Sequence, residues 1–226
     1  MDYPENNGPM RKPFWWRQAV DSCLCATALL LLSPLLLLIA GGIFLETGLP
    51  IVFSQKRVGR HGKLFLLLKF RTMRHDMNGP SITVGGDRRV TSVGRFLRRF
   101  KLDELPQLWN VAGGDMALVG PRPEVPEFVD LSKSVWQSVL QVRPGITDPA
   151  SIAFRHEEGL LAKASDPIRY YQETLLPAKL AMNLAYLRQR SFYLDLRVIV
   201  RTALCAAIPI GPDSEESRLL APVDPK

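Results

Sequence analysis

Two adjacent acids, Asp103 and Glu104, stand in the stretch KLDELPQLWN (101–110), directly after the basic run RFLRRFK (95–101). Two roles suit such a pair. Acids ahead of a helix cap its unbonded N–H groups, and Pro106 is tolerated in a first helical turn. Alternatively, the pair works on a diphosphate. Two carboxylates repel a pyrophosphate unless a divalent cation intervenes, and Mg2+ usually takes one or two carboxylates together with substrate phosphates. An aspartate so placed can attack phosphorus as a nucleophile, while metal and arginines stabilise the leaving phosphate.

The cations that this second role needs recur through the chain. Lys69 and Arg71 stand in LKFRTM, Arg88 and Arg89 in GGDRRVT, Arg98 within the basic run, Arg122 in GPRPE and Arg143 in VRPGIT. Arginine forks match phosphate oxygens with paired hydrogen bonds. Arg122 lies between Pro121 and Pro123, which restricts its backbone and suits a positioned ligand contact. The competing account is a solvated basic face, or attraction to anionic lipid.

Other chemistries lack their residues. No G-x-S-x-G elbow occurs, HEE at 156–158 lacks the second histidine of H-E-x-x-H, and no C-x-x-C exists. His61, His75 and His156 are scattered. Cys23, Cys25 and Cys205 lie in apolar runs, as small hydrophobes in a reducing compartment do. A net charge of +7 over 226 residues favours an anionic partner. Nucleic acid is one such partner, but no helix-turn-helix or RNP-like signature supports it.

The elements that must position these groups begin with a charge-free run at 22–45, SCLCATALLLLSPLLLLIAGGIFL. As one helix it would reach about 36 Å and span a hydrocarbon core of about 30 Å. Ser33-Pro34 at its middle predicts a kink, and each half then reaches only about 17 Å. Arg11, Lys12 and Arg17 before it, and Lys56, Arg57, Arg60 and Lys63 after it, put both flanks on the cytoplasmic side. A helix that enters and leaves by one face satisfies both observations; a kinked spanning helix is the alternative.

Beyond it, IVFSQKRV, GRHG and KLFLLLKFRTM predict two strands joined by a glycine turn, and 75–86 reads as a loop. Helical spacing follows through 88–114, interrupted near Lys101, and GDMALVGPRPEVPEF predicts strand and turn. Residues 126–142 and 167–190 are predicted as helices. The segment 192–210 is an apolar helix bearing Asp195, Arg197 and Arg201, suited to a membrane surface. The polar tail beyond it is predicted to be disordered.

In order and spacing, these pieces resemble the bacterial sugar transferase family, the monotopic phosphoglycosyl transferases, from residue 13 to about 202. The Ser33-Pro34 helix, QKRVGRHGKLFLLLKFRTM, DRRVTSVGRFLRRFKLDELPQLWNV, GDMALVGPRPE, RPGIT and SFYLDLRVIVRT carry the resemblance. It implies transfer of a sugar phosphate from a UDP-sugar to a polyprenyl (undecaprenyl) phosphate, with release of UMP. It implies Asp103 as the nucleophile of a phosphoglycosyl-aspartyl intermediate and Glu104 as a holder of Mg2+. It implies substrate contacts by Arg122, Arg98 and Lys69, and more weakly by Asp195. The implied fold is α+β: a mainly helical catalytic domain with a small β-hairpin, a Ser-Pro-kinked re-entrant membrane helix and surface amphipathic helices.

The implied layout is an interfacial segment at 1–20, the re-entrant helix at 21–48, a cytoplasmic domain at 49–211 and a flexible tail at 212–226. That places the enzyme at the bacterial inner membrane as the minimal catalytic form, without nucleic acid as a partner. A homo-oligomer or downstream glycosyltransferases are the further partners such a form admits. After Gly145 the chain reads ITDPASIAFRHEEGLL where many members continue TG-x-A-Q, and RFK precedes LDE where KTS is frequent. These departures leave the sugar unassigned.

Overall fold

The computed structural model describes residues 16–74 and 87–207. The expected interfacial segment up to residue 15, the loop at 75–86 and the tail from 208 lie outside the described residues.

The apolar run forms one helix, α1 (Arg17–Thr47), ended by Gly48 at φ 71°, a left-handed turn that glycine takes without a Cβ penalty. At 31 residues it is about 46 Å long. The expected division at Ser33-Pro34 does not interrupt it, and the reason is local. Pro34 has no N–H for the carbonyl of Leu30, and the Ser33 hydroxyl donates to that carbonyl instead, at 2.8 Å. Serine beside proline thus supplies the missing donor.

One stripe of α1 is packed: Asp21, Cys25, Leu36, Ile39 and Ile43 are buried, and Leu29 and Leu32 fill the gap between them. These steps of three and four residues trace one helical face. On the other side Leu30, Leu31, Leu37 and Leu38 are 73–76% exposed. Both ends are tied to the same body. Near the start Arg17 pairs with Asp195, and the Asp21 carboxylate accepts the Leu118 N–H at 3.3 Å. At the far end Arg71 donates to the Thr47 hydroxyl and the Gly48 carbonyl at 2.5 and 2.6 Å. Glu46 there accepts the N–H groups of Ser92 and Val93 at 2.7 and 2.9 Å, a carboxylate on the positive end of the next helix.

The predicted hairpin is present: β1 (Val52–Val58) pairs antiparallel with β2 (Leu64–Phe70), from Val52 opposite Phe70 to Val58 opposite Leu64. The glycine turn places His61 and Gly62 at φ 58° and 77°. The helical spacing after 88 resolves into α2 (Ser92–Arg99), capped by Thr91, and α3 (Gln107–Ala112). They are separated at Lys101, where the pattern was interrupted. Asn110 of α3 braces the free edge of β2, accepting the Leu68 N–H at 3.0 Å and donating to the Leu66 carbonyl at 2.8 Å.

A second, parallel pair joins β3 (Ala117–Val119) to β4 (Gly145–Thr147). The helix predicted over 126–142 is absent; a turn at Pro126–Phe128 and the short α4 (Ser134–Val139) take its place. Asp130 folds back on the Ser132 N–H at 3.0 Å, a local bond that competes with helix. After α5 (Pro149–Ala153) and α6 (Glu157–Lys163), the helix predicted over 167–190 runs as α7 (Pro167–Tyr170), a wide π turn (Tyr171–Leu175) and α8 (Leu176–Gln189). The π turn ends two residues before Pro177, which has no N–H to donate. Finally α9 (Phe192–Ala207) exposes Phe192, Tyr193, Leu196, Val200 and Leu204 while burying Asp195. Among the described residues the result is a mainly helical fold with two small sheets and one long apolar helix.

Candidate active site

The acids reach the interior through a reversal at Lys101, whose φ of 56° and ψ of 21° are left-handed. A non-glycine residue there costs on the order of 1 kcal/mol, so neighbouring packing must hold it. Leu102 and Leu105 supply that packing, set against the cluster of Leu36, Ile39, Ile43, Phe70 and Leu97. In the single 3-10 turn Leu102–Glu104, residues three apart eclipse one another. The two leucines therefore anchor one side and the acids between them take the other. Neither acid caps α3, which starts behind Pro106 without a side-chain cap.

The two carboxylates have opposite surroundings. Glu104 receives both prongs of Arg122, at 2.5 Å to Oε1 and 3.1 Å to Oε2, and Lys69 Nζ lies 3.3 Å from Oε1. Asp103 is buried, and its Oδ1 has no hydrogen-bond partner among the described residues. Burial, then the neighbouring Glu104 charge, raises the Asp103 pKa above its ordinary value, with Lys69, Lys101 and Arg98 opposing. Burial pushes Glu104 upward as well, but Arg122, Lys69 and Lys101 together outweigh it and hold that carboxyl well below the ordinary range. Adjacent acids forced apart in this way divide their roles: one is a fixed anion, the other titrates.

Arg122 is itself fixed. Its backbone N–H donates to Asp148 at 2.6 Å and its side chain to the Ile146 carbonyl at 3.3 Å. Asp148 is wholly buried and caps α5. The parallel β3–β4 pair brings these partners together, and it requires glycine: a Cβ on Gly145 would meet the Gly120 nitrogen at 2.1 Å.

Of the residues expected to contact substrate, Lys69 and Arg122 thus converge on Glu104. Arg98 stands beside them, donating to the Thr72 hydroxyl at 2.9 Å and pairing with Glu158 at 3.0 Å; its charge helps lower the Asp103 pKa. Asp195 belongs to a different cluster. It accepts from the Tyr186 hydroxyl, pairs with Arg17 and lies 3.8 Å from Arg190. Both arginines also donate to the Val119 carbonyl at 3.1 Å.

Two neighbours were missed from sequence. Arg57 bonds Gln55, the Pro123 carbonyl and Glu124 at 2.8–3.2 Å, and burial lowers its pKa against the pull of Glu124. Its signal was period-two spacing on β1, which puts Gln55 and Arg57 on one face of the hairpin. Gln107, four residues beyond Asp103, is wholly buried with neither amide atom bonded; nothing in LPQLW marks it.

No group of three or more His, Cys, Asp or Glu side chains gathers among the described residues. A divalent cation here would rest on Glu104, with ligand oxygens completing its shell. The donor fits that role: Glu104 Oε2 accepts one N–H, leaving a lone pair, while Asp103 Oδ1 beside it stays unpartnered.

The family description "Bacterial sugar transferase" matches residues 12–208. A UDP-glucose:undecaprenyl-phosphate glucose-1-phosphate transferase of Xanthomonas campestris is 39% identical over 191 residues, covering 81% of this chain and 37% of that protein. A protein of the same description from Caulobacter vibrioides is 38% identical over 193 residues, 82% of this chain and 67% of its own length. A UDP-N-acetylgalactosamine-undecaprenyl-phosphate N-acetylgalactosaminephosphotransferase of Aeromonas hydrophila is 34% identical over 193 residues, 82% and 42% respectively. The chain thus spans little more than a third of the Xanthomonas relative, within the part that carries the match. With every described residue inside the matched range, the chain belongs to the bacterial sugar transferase family.

Proposed function

We propose that this chain transfers a sugar phosphate from a UDP-sugar to polyprenyl (undecaprenyl) phosphate and releases UMP, through a covalent intermediate on Asp103. The observation that carries this reading is a buried aspartate oxygen without a partner, beside a glutamate locked by Arg122 and Lys69. The relatives' names, all of them sugar-phosphate transfers to undecaprenyl phosphate, support the substrate classes. Because those names differ in the sugar, the donor is assigned only as a UDP-sugar.

In the first half-reaction Asp103 Oδ1 attacks the β-phosphorus. The bond from that phosphorus to the bridging oxygen breaks, and UMP leaves with the bridging oxygen. In the second, a phosphate oxygen of the acceptor attacks the same phosphorus, the aspartyl–phosphorus bond breaks, and Asp103 returns as carboxylate. Glu104 stays ionised throughout because Arg122 and Lys69 stabilise its charge, and the nearby cations of Lys69, Arg98 and Lys101 oppose the negative charge that gathers at phosphorus. Mg2+, held by Glu104, would supply neutralisation of the diphosphate when bound.

The membrane arrangement follows the same reading. With both ends of α1 tied to one body and leucines exposed along its outer side, the helix is suited to enter and leave one face of the bacterial inner membrane, with the catalytic part on the cytoplasmic side. The test is nucleotide release from purified protein in nanodiscs with Mg2+, undecaprenyl phosphate and a panel of UDP-sugars. UMP is expected with one donor, and about one UMP per enzyme when the acceptor is omitted. Release of UDP instead would mean plain glycosyl transfer and would remove Asp103 as nucleophile.

A further inference from the structure

One face of the hairpin changes character along its length. Strand residues alternate between faces, so Phe53, Gln55 and Arg57 share a side, and the register sets Phe53 directly opposite Lys69. Just ahead of β1, Ile51 packs against the cluster that Leu36, Ile39 and Ile43 of the apolar helix form with Phe70 and Leu97, and its carbonyl accepts the Arg71 N–H at 2.8 Å, extending the ladder. Phe53 follows, 48% exposed. Gln55 and Arg57 come next, bonded to each other and on to Glu124. Within four positions the surface therefore passes from the apolar helix to the cationic cradle.

The Phe53–Lys69 pair sits at the changeover. Directly opposed side chains have Cβ atoms about 5 Å apart. Lys69 spends one N–H on Glu104, and an ammonium carries three. A half-exposed aromatic ring there has no part in the chemistry at phosphorus. It does match a ligand that is apolar at one end and anionic at the other.

We propose that Phe53 and Lys69 form the acceptor subsite, in which Phe53 receives the first isoprene unit of polyprenyl phosphate and Lys69 its phosphate. The inference rests on the transfer reading above and adds to it which surface the acceptor uses. The ladder from Ile51 to Arg57 sets the acceptor's direction: its chain runs toward the apolar helix and its head toward Glu104.

The two half-reactions separate this subsite from the donor's. With Phe53→Ala, the acceptor KM rises about tenfold, the scale of exposing roughly half an aromatic side chain's apolar area. The UMP burst without acceptor keeps its wild-type amplitude, and Phe53→Leu recovers most of the acceptor affinity. An unchanged acceptor KM, or equal losses in burst and acceptor transfer, would overturn the proposal. Because Phe53→Ala can fail to fold, wild-type protein provides a second measurement: irradiation with a polyprenyl phosphate carrying a diazirine on its first isoprene unit. Label on the peptide spanning 52–56 supports the subsite, and label confined to α1 or α9 refutes it. Absence of any UMP burst in wild-type protein would instead strike the parent reading, while the photolabel still reports on the surface.

Discussion

Two buried clusters of acids and arginines lie at either end of the segment 119–122, and they handle charge differently. At Val119, Asp195 has both oxygens engaged, by Tyr186 on one side and Arg17 with Arg190 on the other. At Arg122, Glu104 likewise has both oxygens engaged, but the acid beside it keeps an oxygen without a partner. A saturated acid holds elements together; here Asp195 ties α1, α8 and α9 to β3. An unsaturated one carries the cost of burial without return, which is the condition of a group held for reaction. Both clusters consist of the same residue types, so the difference lies in what is left unbonded.

Asp103→Asn gives the widest separation between them. It should abolish the UMP burst, a loss of at least about a thousandfold, while leaving thermal stability equal to or above wild type. Substantial turnover in that variant would erase the distinction.

Next in size, Glu104→Gln should destabilise the protein by about 3 kcal/mol, because Arg122 and Lys69 lose their shared anion; urea unfolding measures it. Asp195→Asn should also lower stability, and it should slow turnover about tenfold by loosening the anchor of the segment that carries Arg122. Its acid limb in kcat/KM should match that of wild type. A displaced limb would mean that Asp195 belongs to the site after all.

The pH dependence sharpens the contrast further. Asp103 has a folded pKa raised above 3.8, so the active carboxylate is lost as pH falls through that raised value. The acid limb of kcat/KM should therefore lie above the ordinary aspartate range. For stability the signs oppose each other. Glu104, depressed below 4.5, contributes stability that is present above 4.5 and lost as pH falls through its lower folded value. Asp103 contributes a penalty that grows as pH rises from 3.8 through its folded value, and Asp103→Asn should remove that penalty at neutral pH. The smallest effect belongs to the Arg98–Glu158 pair, whose acid is 54% exposed. Glu158→Gln should shift stability by no more than about 1 kcal/mol.

Much of this was legible in the residues. Period-two runs around GRHG marked the hairpin, and the break in helical spacing near Lys101 marked the reversal that carries the acids inward. Lys69 and Arg122 were singled out, and both meet Glu104. β3 was legible as the strand in GDMALVGPRPE, but its parallel partner β4 was not, since three residues show no periodicity. Asp148 was hidden for the same reason: its role depends on a partner 26 positions away. At Ser33-Pro34 the helix runs on as one element, because the serine hydroxyl donates to the carbonyl that proline leaves without its usual N–H. Asp195, carried over by motif, sits in the other cluster because α9 packs its acid against α1 and α8 rather than against the reversal.

The contact between Gly120 and Gly145 bears on how tolerance to substitution would be read in this chain. A side chain at Gly145 would press on the backbone of Gly120 at 2.1 Å, and one at Gly120 on the Arg143 carbonyl at 2.6 Å. In a saturation scan scored by turnover, both glycines should be as intolerant as Asp103. Ranking positions by such a scan would merge scaffold with chemistry, and an assay of folded protein run in parallel would be needed to part them.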